Sequence, residues 1–491
     1  EGLDAYNDVE SIDWLDEIYG GPTYAWSHNV NVSGGNDRTK FTVSYNSLND
    51  DALRMDSWYK RENITAKLNA KLLNNLTIDV DARFSDARIY GSSSSTNSAI
   101  YHAPVEPLGD YSTDLNPGFV MESDNVNPEY APDKLIHDSY NMRYRKNFRI
   151  NASLTWEIIK GLTFKSEYGK SFSWIKTYEY SGTLINRGTK QPSASIGRNE
   201  YSSMRFVNTL NWQVQGLGDQ HRLDVLLGQE LNSSDKEESK MKVNRLPSTF
   251  DFQKAFGMIN QWDKSVDASD IISNTFGVPS RMASFFGRVN YTFRDRYILT
   301  GTLRADGSSN FHKDNRWGYF PAAAAAWRIS GEPFMQNARW IDNLKLRVSY
   351  GQAGNDRIDA DLWRIIWKAS AGGYSFNNVR QSYYEYASSQ LPNPNLKWET
   401  TITRNLGLDF SLFNNRLYGT VEGYWNTTKD LLISSEIPAY LGFSTQQQNI
   451  GQTRNIGLEV SLGGDIVRKK DFTLSANFNI GFNKNKVEKL A

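Results

Sequence analysis

The sequence has no cysteine among its 491 residues. This absence excludes disulfides, thiol nucleophiles and thiolate metal sites. Its five histidines are scattered, and none belongs to an HExxH motif or another cluster with metal-ligand spacing. A GxSxG nucleophile elbow and a phosphate-binding P-loop are also missing. The sequence therefore predicts neither an enzyme nor a bound metal or cofactor.

An excess of charge and a long apolar run are missing as well. The 55 Lys and Arg residues equal the 55 Asp and Glu residues, so no electrostatic argument for nucleic-acid binding exists. The longest largely apolar run, residues 320–327, is far shorter than the ~20 residues that a membrane helix requires. The chain is therefore either soluble or a β-barrel, whose alternating strands escape hydropathy windows. An aromatic content of 13% favours the barrel.

Alternating residues between positions 284 and 306 predict an antiparallel hairpin. Apolar side chains occupy every second position on both arms, with Phe286 as the one exception. A period of two places the two sets on opposite faces of a strand, and the three-residue link 294–296 suits a hairpin. Two further strands follow, one ending at residue 330 and one at residues 344–351. This pattern is typical of a membrane-barrel wall, with one apolar and one charged face.

A second hairpin is predicted at residues 64–72 and 76–84. With a turn at residues 73–75, Lys67 should lie opposite Asp81 on the polar face, a favourable cross-strand pair. Both strands approach the ~9–11 residues needed to cross a bilayer. Asp79 and Asp81 are interpreted as charge lining the barrel interior. We expect Val80 and Leu474 to face lipid, and Asp81 and Ser475 to face the interior.

The remaining chain continues the same alternation of strands and turns, which brings the predicted total to about sixteen strands. The other predicted strands are residues 28–34, 40–48, 148–158, 162–172, 204–212, 223–231, 398–412, 417–427, 456–462 and 472–482. Residues 1–25 are predicted to be irregular. Long loops are predicted at residues 86–142, 173–201, 232–282 and 352–397.

Long loops alternate with short turns, as in outer-membrane barrels. Aromatic residues beside the short turns predict a periplasmic girdle: Trp156, Trp212, Phe293, Tyr297, Phe413, Tyr418 and Phe472. The alternative, a soluble β-sandwich with these aromatics in its core, is disfavoured because sandwich strands are shorter, typically ~5–6 residues.

Several motifs in this order resemble the barrel of SusC/RagA-like TonB-linked outer-membrane proteins. They are Phe-Gly-Arg-Val-Asn-Tyr from Phe286, Leu-Arg-Ala-Asp-Gly-Ser-Ser from Leu303, Asn-Arg-Trp-Gly-Tyr-Phe-Pro from Asn315, Leu-Lys-Leu-Arg-Val-Ser-Tyr-Gly from Leu344, Gly354-Asn355, Asn-Pro-Asn-Leu-Lys-Trp-Glu-Thr-Thr from Asn393, and Asn-Ile-Gly-Gln-Thr-Arg-Asn-Ile-Gly-Leu-Glu-Val from Asn449. A weaker one is Val-Ser-Gly-Gly-Asn-Asp from Val32.

The resemblance implies an all-β, transmembrane antiparallel barrel of ~22 strands with a plugged lumen, located in the bacterial outer membrane. Residues 1–491 would then form part of a single barrel domain, with the plug, the TonB-binding segment and the C-terminal strands outside this chain. It also implies outer-membrane lipid, the TonB system and a SusD-like surface lipoprotein as partners. The implied function is uptake of an oligosaccharide or peptide. A SusC-like assembly or secretion subunit, and a simple porin or adhesin, stay open as alternatives.

The loop at residues 352–397 contains the candidate ligand contacts. They are Tyr374, Phe376, Tyr383, Tyr384 and Tyr386. Aromatic faces stack on sugar rings or peptide side chains, and tyrosine adds a polar group. Nearby polar residues could supply directional contacts: Asn377, Asn378, Arg380 and Gln381. The alternative is that these aromatics pack within the loop or against the lipoprotein. Trp363 and Trp367, among Leu362, Ile365 and Ile366, are expected in the core of a strand or loop.

Overall fold

The computed structural model describes residues 10–91, 96–104, 128–259, 272–370, 375–380, 383–386 and 390–490. Only the backbone is described for residues 96, 128, 272, 368–370, 380 and 383–385. Seventeen strands form one sheet, and every pairing between neighbouring strands of that sheet is antiparallel. The predicted all-β class is therefore confirmed.

The strands are β1 (Ala25–Gly35), β2 (Thr39–Asp51), β3 (Trp58–Leu73), β4 (Leu76–Tyr90), β5 (Ser139–Ile159), β6 (Leu162–Ser181), β7 (Ser193–Gln213), β8 (His221–Val243), β9 (Ile272–Phe276), β10 (Ser280–Phe293), β11 (Tyr297–Ser308), β12 (Trp317–Arg328), β13 (Ile341–Asn355), β14 (Trp367–Ser370), β15 (Ser375–Phe376), β16 (Val379–Arg380), β17 (Tyr383–Tyr386), β18 (Gln390–Leu391), β19 (Glu399–Leu412), β20 (Leu417–Lys429), β21 (Leu432–Glu436), β22 (Thr445–Asn449), β23 (Gln452–Arg468) and β24 (Thr473–Lys489). The α-helices are α1 (Trp14–Tyr19), α2 (Thr96–Tyr101), α3 (Pro132–His137) and α4 (Phe252–Gly257). Single 3-10 turns lie at Pro128–Tyr130, Ile329–Gly331, Pro333–Met335 and Ala439–Leu441.

The wall of the molecule follows chain order. Each of β1 to β8 pairs with the next strand, and β8 pairs with β10 along its lower part and with β9 along its upper part. The wall continues through β11, β12, β13, β19, β20, β23 and β24. The sixteen long strands are those predicted from the alternation, whereas β9 was not foreseen.

The register agrees with the predicted hairpin at the start of the wall. Lys67 lies opposite Asp81, and its ammonium nitrogen is 3.8 Å from the carboxylate. The short turn after β19 contains Asn414 and Asn415 with φ of 59° and 57°. Asparagine tolerates this left-handed conformation better than most residues, so the local sequence favours a tight reversal there.

Four of the predicted loops are shorter than expected, because the strands continue past the alternating segments. Strand β6 reaches Ser181, β7 begins at Ser193, and β8 reaches Val243. The upper part of β8, from Asn232, is polar and charged on both faces, so no period of two marks it as a strand. The loop predictions were therefore wrong for residues 173–181, 193–201 and 232–243, whereas residues 182–192 do form a loop. Residues 86–90, 139–142 and 352–355 likewise belong to β4, β5 and β13.

The stretch predicted to be irregular at the start contains helix α1. Asp13 caps it, since its carboxylate accepts hydrogen bonds from the backbone N–H groups of Leu15 (2.9 Å) and Asp16 (3.1 Å). Trp14 is buried in a small cluster with Ile136 and neighbouring residues, and its indole nitrogen donates to the carbonyl of Ala103. Among the described residues, no helix is both long enough and apolar enough to cross a bilayer.

Candidate functional site

The wall has two chemically different faces. On the face that we call the apolar face, large side chains such as Phe285 (53% exposed), Leu299 (53%) and Leu303 (55%) have little protein covering them. From Leu162 to Phe172 this face extends over ten residue steps of β6, about 33 Å along the strand and about 25 Å once tilted by ~40°. That height matches the hydrocarbon layer of an outer membrane.

The predicted sidedness agrees with this division. Val80 lies opposite Leu68 and Ala152 on the apolar face. Leu474 is an even number of residues from Phe478 on β24, so its side chain points to the same apolar face. Asp81 lies opposite Lys67 on the other face, and the hydroxyl of Ser475 donates a hydrogen bond of 2.8 Å to Asp465.

The aromatic girdle is largely where it was predicted. Trp156, Trp212 and Tyr297 are between 42% and 46% exposed beside short turns, with the strand parity of the apolar face. Tyr418 was wrongly included, because it has the parity of Glu422 and its hydroxyl points to Asn477 on the opposite face. Beside a turn, the sequence alone does not show which face of the strand a side chain occupies, because the register of the strand pair decides it.

The opposite, polar face carries ion pairs that cross several strands. Glu230 on β8 accepts from Arg205 on β7 at 2.7 Å and from Arg304 on β11 at 3.3 Å. Arg304 also donates to Asp306 at 2.8 Å. This network ties three strands together across β10, and its two carboxylates are mostly covered by protein. Charge on this face is therefore neutralised locally, as a water-filled interior allows.

A second network lies on the same face at the far end of the wall. Asp409 accepts from Lys345 at 3.0 Å and from Arg347 at 2.9 Å, and Arg347 reaches Glu422 at 3.3 Å. Asn405 also donates to Glu422. The sequence predicted charge on this face but not which partners would meet.

A recess of about 600 Å³ opens on the polar face between β5 and β10, at the outer end of the wall. Short polar side chains and three arginines line it, among them Asn151, Ser171, Ser203, Asn232 and Arg205. Gly169 keeps the inner surface open, because a β-carbon there would lie 2.9 Å from the side-chain oxygen of Asn151. We call this the polar recess.

Loop residues close one side of the polar recess. The Ser308 hydroxyl donates to the Asp356 carboxylate at 2.7 Å, and the Asn310 amide donates to the Asp356 carbonyl at 3.2 Å. Arg357 adds a cation at the rim. The recess thus offers amide, hydroxyl, carboxylate and guanidinium groups, which suit a ligand rich in hydroxyls or peptide bonds. Sequence reasoning missed it, although its serines and asparagines were visible at the polar positions of the alternation.

The loop above the recess is anchored by four buried side chains. They are Phe311, Phe320, Leu396 and Trp398. The indole nitrogen of Trp398 donates to the carbonyl of Arg316 at 2.9 Å. Phe320 lies so close to Gly354 that a β-carbon on the glycine would come within 2.1 Å of its ring. Three motifs quoted above, from Asn315, at Gly354 and from Asn393, therefore meet in one cluster that fixes the loop base.

The predicted aromatic contacts are only partly described. Tyr374 lies outside the described residues. Only the backbone of Tyr383 and Tyr384 is described, and it belongs to β17, which pairs with β14. Tyr386 is 45% exposed, and its ring stacks on Trp367 at 4.7 Å and meets Phe443 at 4.9 Å. Tyr386 therefore packs on two other rings of the outer loops and keeps part of its own ring exposed.

Phe376 is the more exposed of the two rings that are described. It sits on the two-residue hairpin of β15 and β16, whose turn residues Asn377 and Asn378 have positive φ, and it is 73% exposed. The interpretation of Trp367 as core was wrong, since that side chain is 55% exposed. Trp363 is half-buried, with its ring edge-on to His312 at 5.3 Å.

Comparison with known proteins gives the same assignment as the two-faced wall. The family model for the TonB dependent receptor-like β-barrel matches residues 91–489. The chain is 30% identical over 507 residues to TonB-dependent receptor P3 of Formosa agariphila, covering 98% of this chain and 47% of the relative. It is 27% identical over 518 residues to TonB-dependent receptor SusC of Bacteroides thetaiotaomicron, covering 98% and 48%. The chain spans about half the length of the curated relatives it matches.

Solved structures share the fold. The structure of the RagAB peptide transporter superposes with a TM-score of 0.81 at 22% identity, over 99% of this chain and 54% of that one. The ferric citrate transporter FecA superposes with a TM-score of 0.56 at 10% identity. With the apolar face at the height of a membrane and the family match over most of its length, the chain belongs to the TonB-dependent receptor-like β-barrel family of the outer membrane.

Proposed function

We propose that this chain forms much of the wall of a TonB-dependent outer-membrane transporter that imports an oligosaccharide or a peptide. The observation that carries the proposal is the polar recess, which lies inside the wall, just below the outer loops. A solute that entered between those loops would meet it first. The Glu230–Arg304 network on the same face, on β8 and β11, adds a polar surface whose charges are paired.

Import rather than catalysis is proposed because the recess offers groups that suit ligand binding. Among the described residues no group of three or more metal-ligating side chains comes together. The named relatives are receptors. The plug and the TonB-binding segment are proposed to lie in parts of the protein beyond these 491 residues.

A SusD-like surface lipoprotein is proposed to cover the outer loops. The structures that share the fold include the RagAB peptide transporter and the RagAB peptide importer in its open-open state, and SusC is among the similar receptors. Exposed apolar side chains on the outer loops, such as Phe376 (73%) and Tyr440 (86%), provide area for such a partner. Tyr374, Phe376, Tyr383, Tyr384 and Tyr386 remain the proposed contacts for the solute or this partner.

The test is to fill the polar recess. Ser203 lines it and shares a hydrogen bond of 2.7 Å with Ser171, whereas the adjacent Ser202 lies opposite Phe172 on the apolar face. In the full-length protein, Ser203→Trp should abolish growth on the imported nutrient, while Ser202→Trp should leave growth unchanged. Folded barrel in the outer membrane, measured by its heat-dependent mobility on gels, should be equal for both.

Two outcomes would contradict the proposal. One is normal growth with Ser203→Trp at wild-type abundance, which would remove the recess from the path. The other is normal growth on every nutrient tested when the gene is deleted. Isolation of the barrel in mild detergent without a surface lipoprotein would contradict the partner alone.

A further inference from the structure

A second recess, of about 650 Å³, lies on the apolar-face side of the wall above the lipid-contacting band. Helix α4 covers this part of β5 and β6 from outside. Tyr140 stacks on Phe252 at 4.4 Å, Tyr178 meets Phe256 at 5.0 Å, and the Tyr180 hydroxyl donates to the carbonyl of Phe250 at 2.8 Å. The space left between helix and wall is the α4 recess.

Two cations lie side by side on the wall of the α4 recess. Lys176 on β6 lies directly opposite Arg198 on β7, and Tyr144 lies on the other side of Lys176 with Arg88 beyond it. Like charges at opposed positions of a sheet are destabilising. Among the described residues, neither Lys176 nor Arg198 forms an ion pair with a carboxylate, although Glu200 also lines the recess.

On the polar face several arginines are paired with carboxylates, although Arg83 also lies opposite Arg149 there. There, Arg205, Arg304 and Arg347 each lie within 2.9 Å of a carboxylate. An anion from outside the chain would relieve the repulsion between the two opposed cations Lys176 and Arg198. The neighbouring ammonium–ring contact, Lys176 over Tyr178 at 4.7 Å, compensates only in part.

The position of the recess identifies the anion. Phe148 and Phe172 face each other at the upper limit of the apolar band, and Lys146 and Trp174 occupy the next row outward, where the recess begins. Two strand residues rise about 5 Å once tilted. The recess thus starts at the depth of lipid headgroups, where tryptophan and tyrosine are favoured at membrane interfaces.

We propose that the α4 recess binds the phosphorylated headgroup of an anionic outer-leaflet lipid. Arg198 and Lys176 hold the phosphate, because guanidinium and ammonium groups form strong charge-assisted hydrogen bonds with phosphate oxygens. Trp174 and Tyr144 contact the headgroup body. The acyl chains run down over Phe148 and Phe172 on the apolar face. This inference does not depend on what the barrel transports.

The experiment uses the full-length protein in nanodiscs of phosphatidylcholine with added lipid A, a bisphosphorylated disaccharide lipid. Bound lipid is counted by native mass spectrometry. Lys176→Gln/Arg198→Gln should weaken lipid A binding by about tenfold or more, because it removes both charge-assisted contacts. The matched control, Lys160→Gln/Lys469→Gln, removes two exposed cations at short turns on the opposite end of the wall and should bind as wild type.

The charge-conserving exchange Lys176→Arg/Arg198→Lys should retain binding even if the double glutamine variant fails to fold. Lipid A stripped of both phosphates should bind about tenfold or more weakly to the wild-type protein. Equal binding of lipid A to the wild-type and glutamine variants would overturn the proposal. So would equal binding of the dephosphorylated lipid, or full competition by soluble inorganic pyrophosphate, which would indicate a site for a free anion instead.

Discussion

At the scale of single residues, opposed side chains on neighbouring strands decide what the wall can tolerate. Lys67 and Asp81 were predicted as partners because turn length and a period of two together fix the register. The networks around Glu230 and Asp409 were not predictable in the same way, since each joins strands that are far apart in the sequence. The alternation shows whether a position is polar or apolar. Identifying the residue that pairs with it also requires the order and register of the strands.

Glu332 provides a residue-scale prediction outside the strands. Its carboxylate accepts from the indole of Trp327 at 3.0 Å and from Arg296 at 3.2 Å. A hydrogen bond from the Tyr297 hydroxyl, more than any other contact, holds the pKa of Glu332 below its ordinary value of 4.5. A lowered folded-state pKa stabilises the fold above the unfolded pKa, and that contribution disappears as the pH falls through the folded pKa.

Wild-type barrel should therefore resist heat better than Glu332→Gln at neutral pH. The difference should shrink once the pH falls below 4.5 and vanish below the folded pKa. The measurement is the temperature of loss of heat-dependent gel mobility across a pH series. Glu436→Gln, at an exposed position on β21, serves as control. A difference that stayed constant down to acid pH would show that the carboxylate charge of Glu332 does not matter.

At the scale of elements, alternation predicted the sixteen long strands because each crosses lipid, where one face must be apolar. The same signal failed where the strands rise above the membrane. Residues 232–243 of β8 are solvated on both sides, so nothing in their pattern separates strand from loop. Helix α1 was missed for a different reason, since six residues are too few to show a helical period.

The aromatic outer loop gives the element-scale prediction. Tyr386 stacks on Trp367 and contacts Phe443 with its ring tilted, and Tyr383 and Tyr384 lie on the same short strand, β17. In the full-length protein, alanine at positions 383, 384 and 386 together should impair growth on the imported nutrient without lowering barrel abundance. Stacking contacts with a sugar ring or peptide side chain contribute about 0.5–1.5 kcal/mol each.

A single Tyr101→Ala, on α2 in a different outer loop, is the control for general loss of loop surface. If the triple variant transported normally at wild-type abundance, this loop would not belong to the solute path. If Tyr386→Ala alone reproduced the whole defect, loop packing rather than solute contact would explain it.

At the scale of the whole molecule, the wall separates lipid from a polar interior. The apolar band is about 25 Å high, the aromatic girdle lies beside the short turns, and the ion-paired networks and the polar recess lie on the other face. The motifs that resemble the family already indicated this arrangement. In the structure, the motif residues Phe320, Gly354 and Trp398 meet at the base of the outer loop. The polar recess required three-dimensional knowledge, since β5 to β8, β10 and the loops after β11 and β13 all contribute to it.

The most direct test of this division places one arginine on each face at the same height. Val80 is at the middle of the apolar band, whereas Asn151 lies on the polar face opposite Asp81, with Gly169 beside it. In the full-length protein, Val80→Arg should destabilise the folded barrel by about 2–4 kcal/mol, the cost of arginine at the lipid midplane. Asn151→Arg should destabilise the folded barrel only slightly, because water and the nearby Asp81 carboxylate stabilise the added positive charge. Sharply lower recovery of heat-resistant barrel from membranes for Val80→Arg alone is the predicted result. Equal recovery of the two variants would contradict the assignment of the faces.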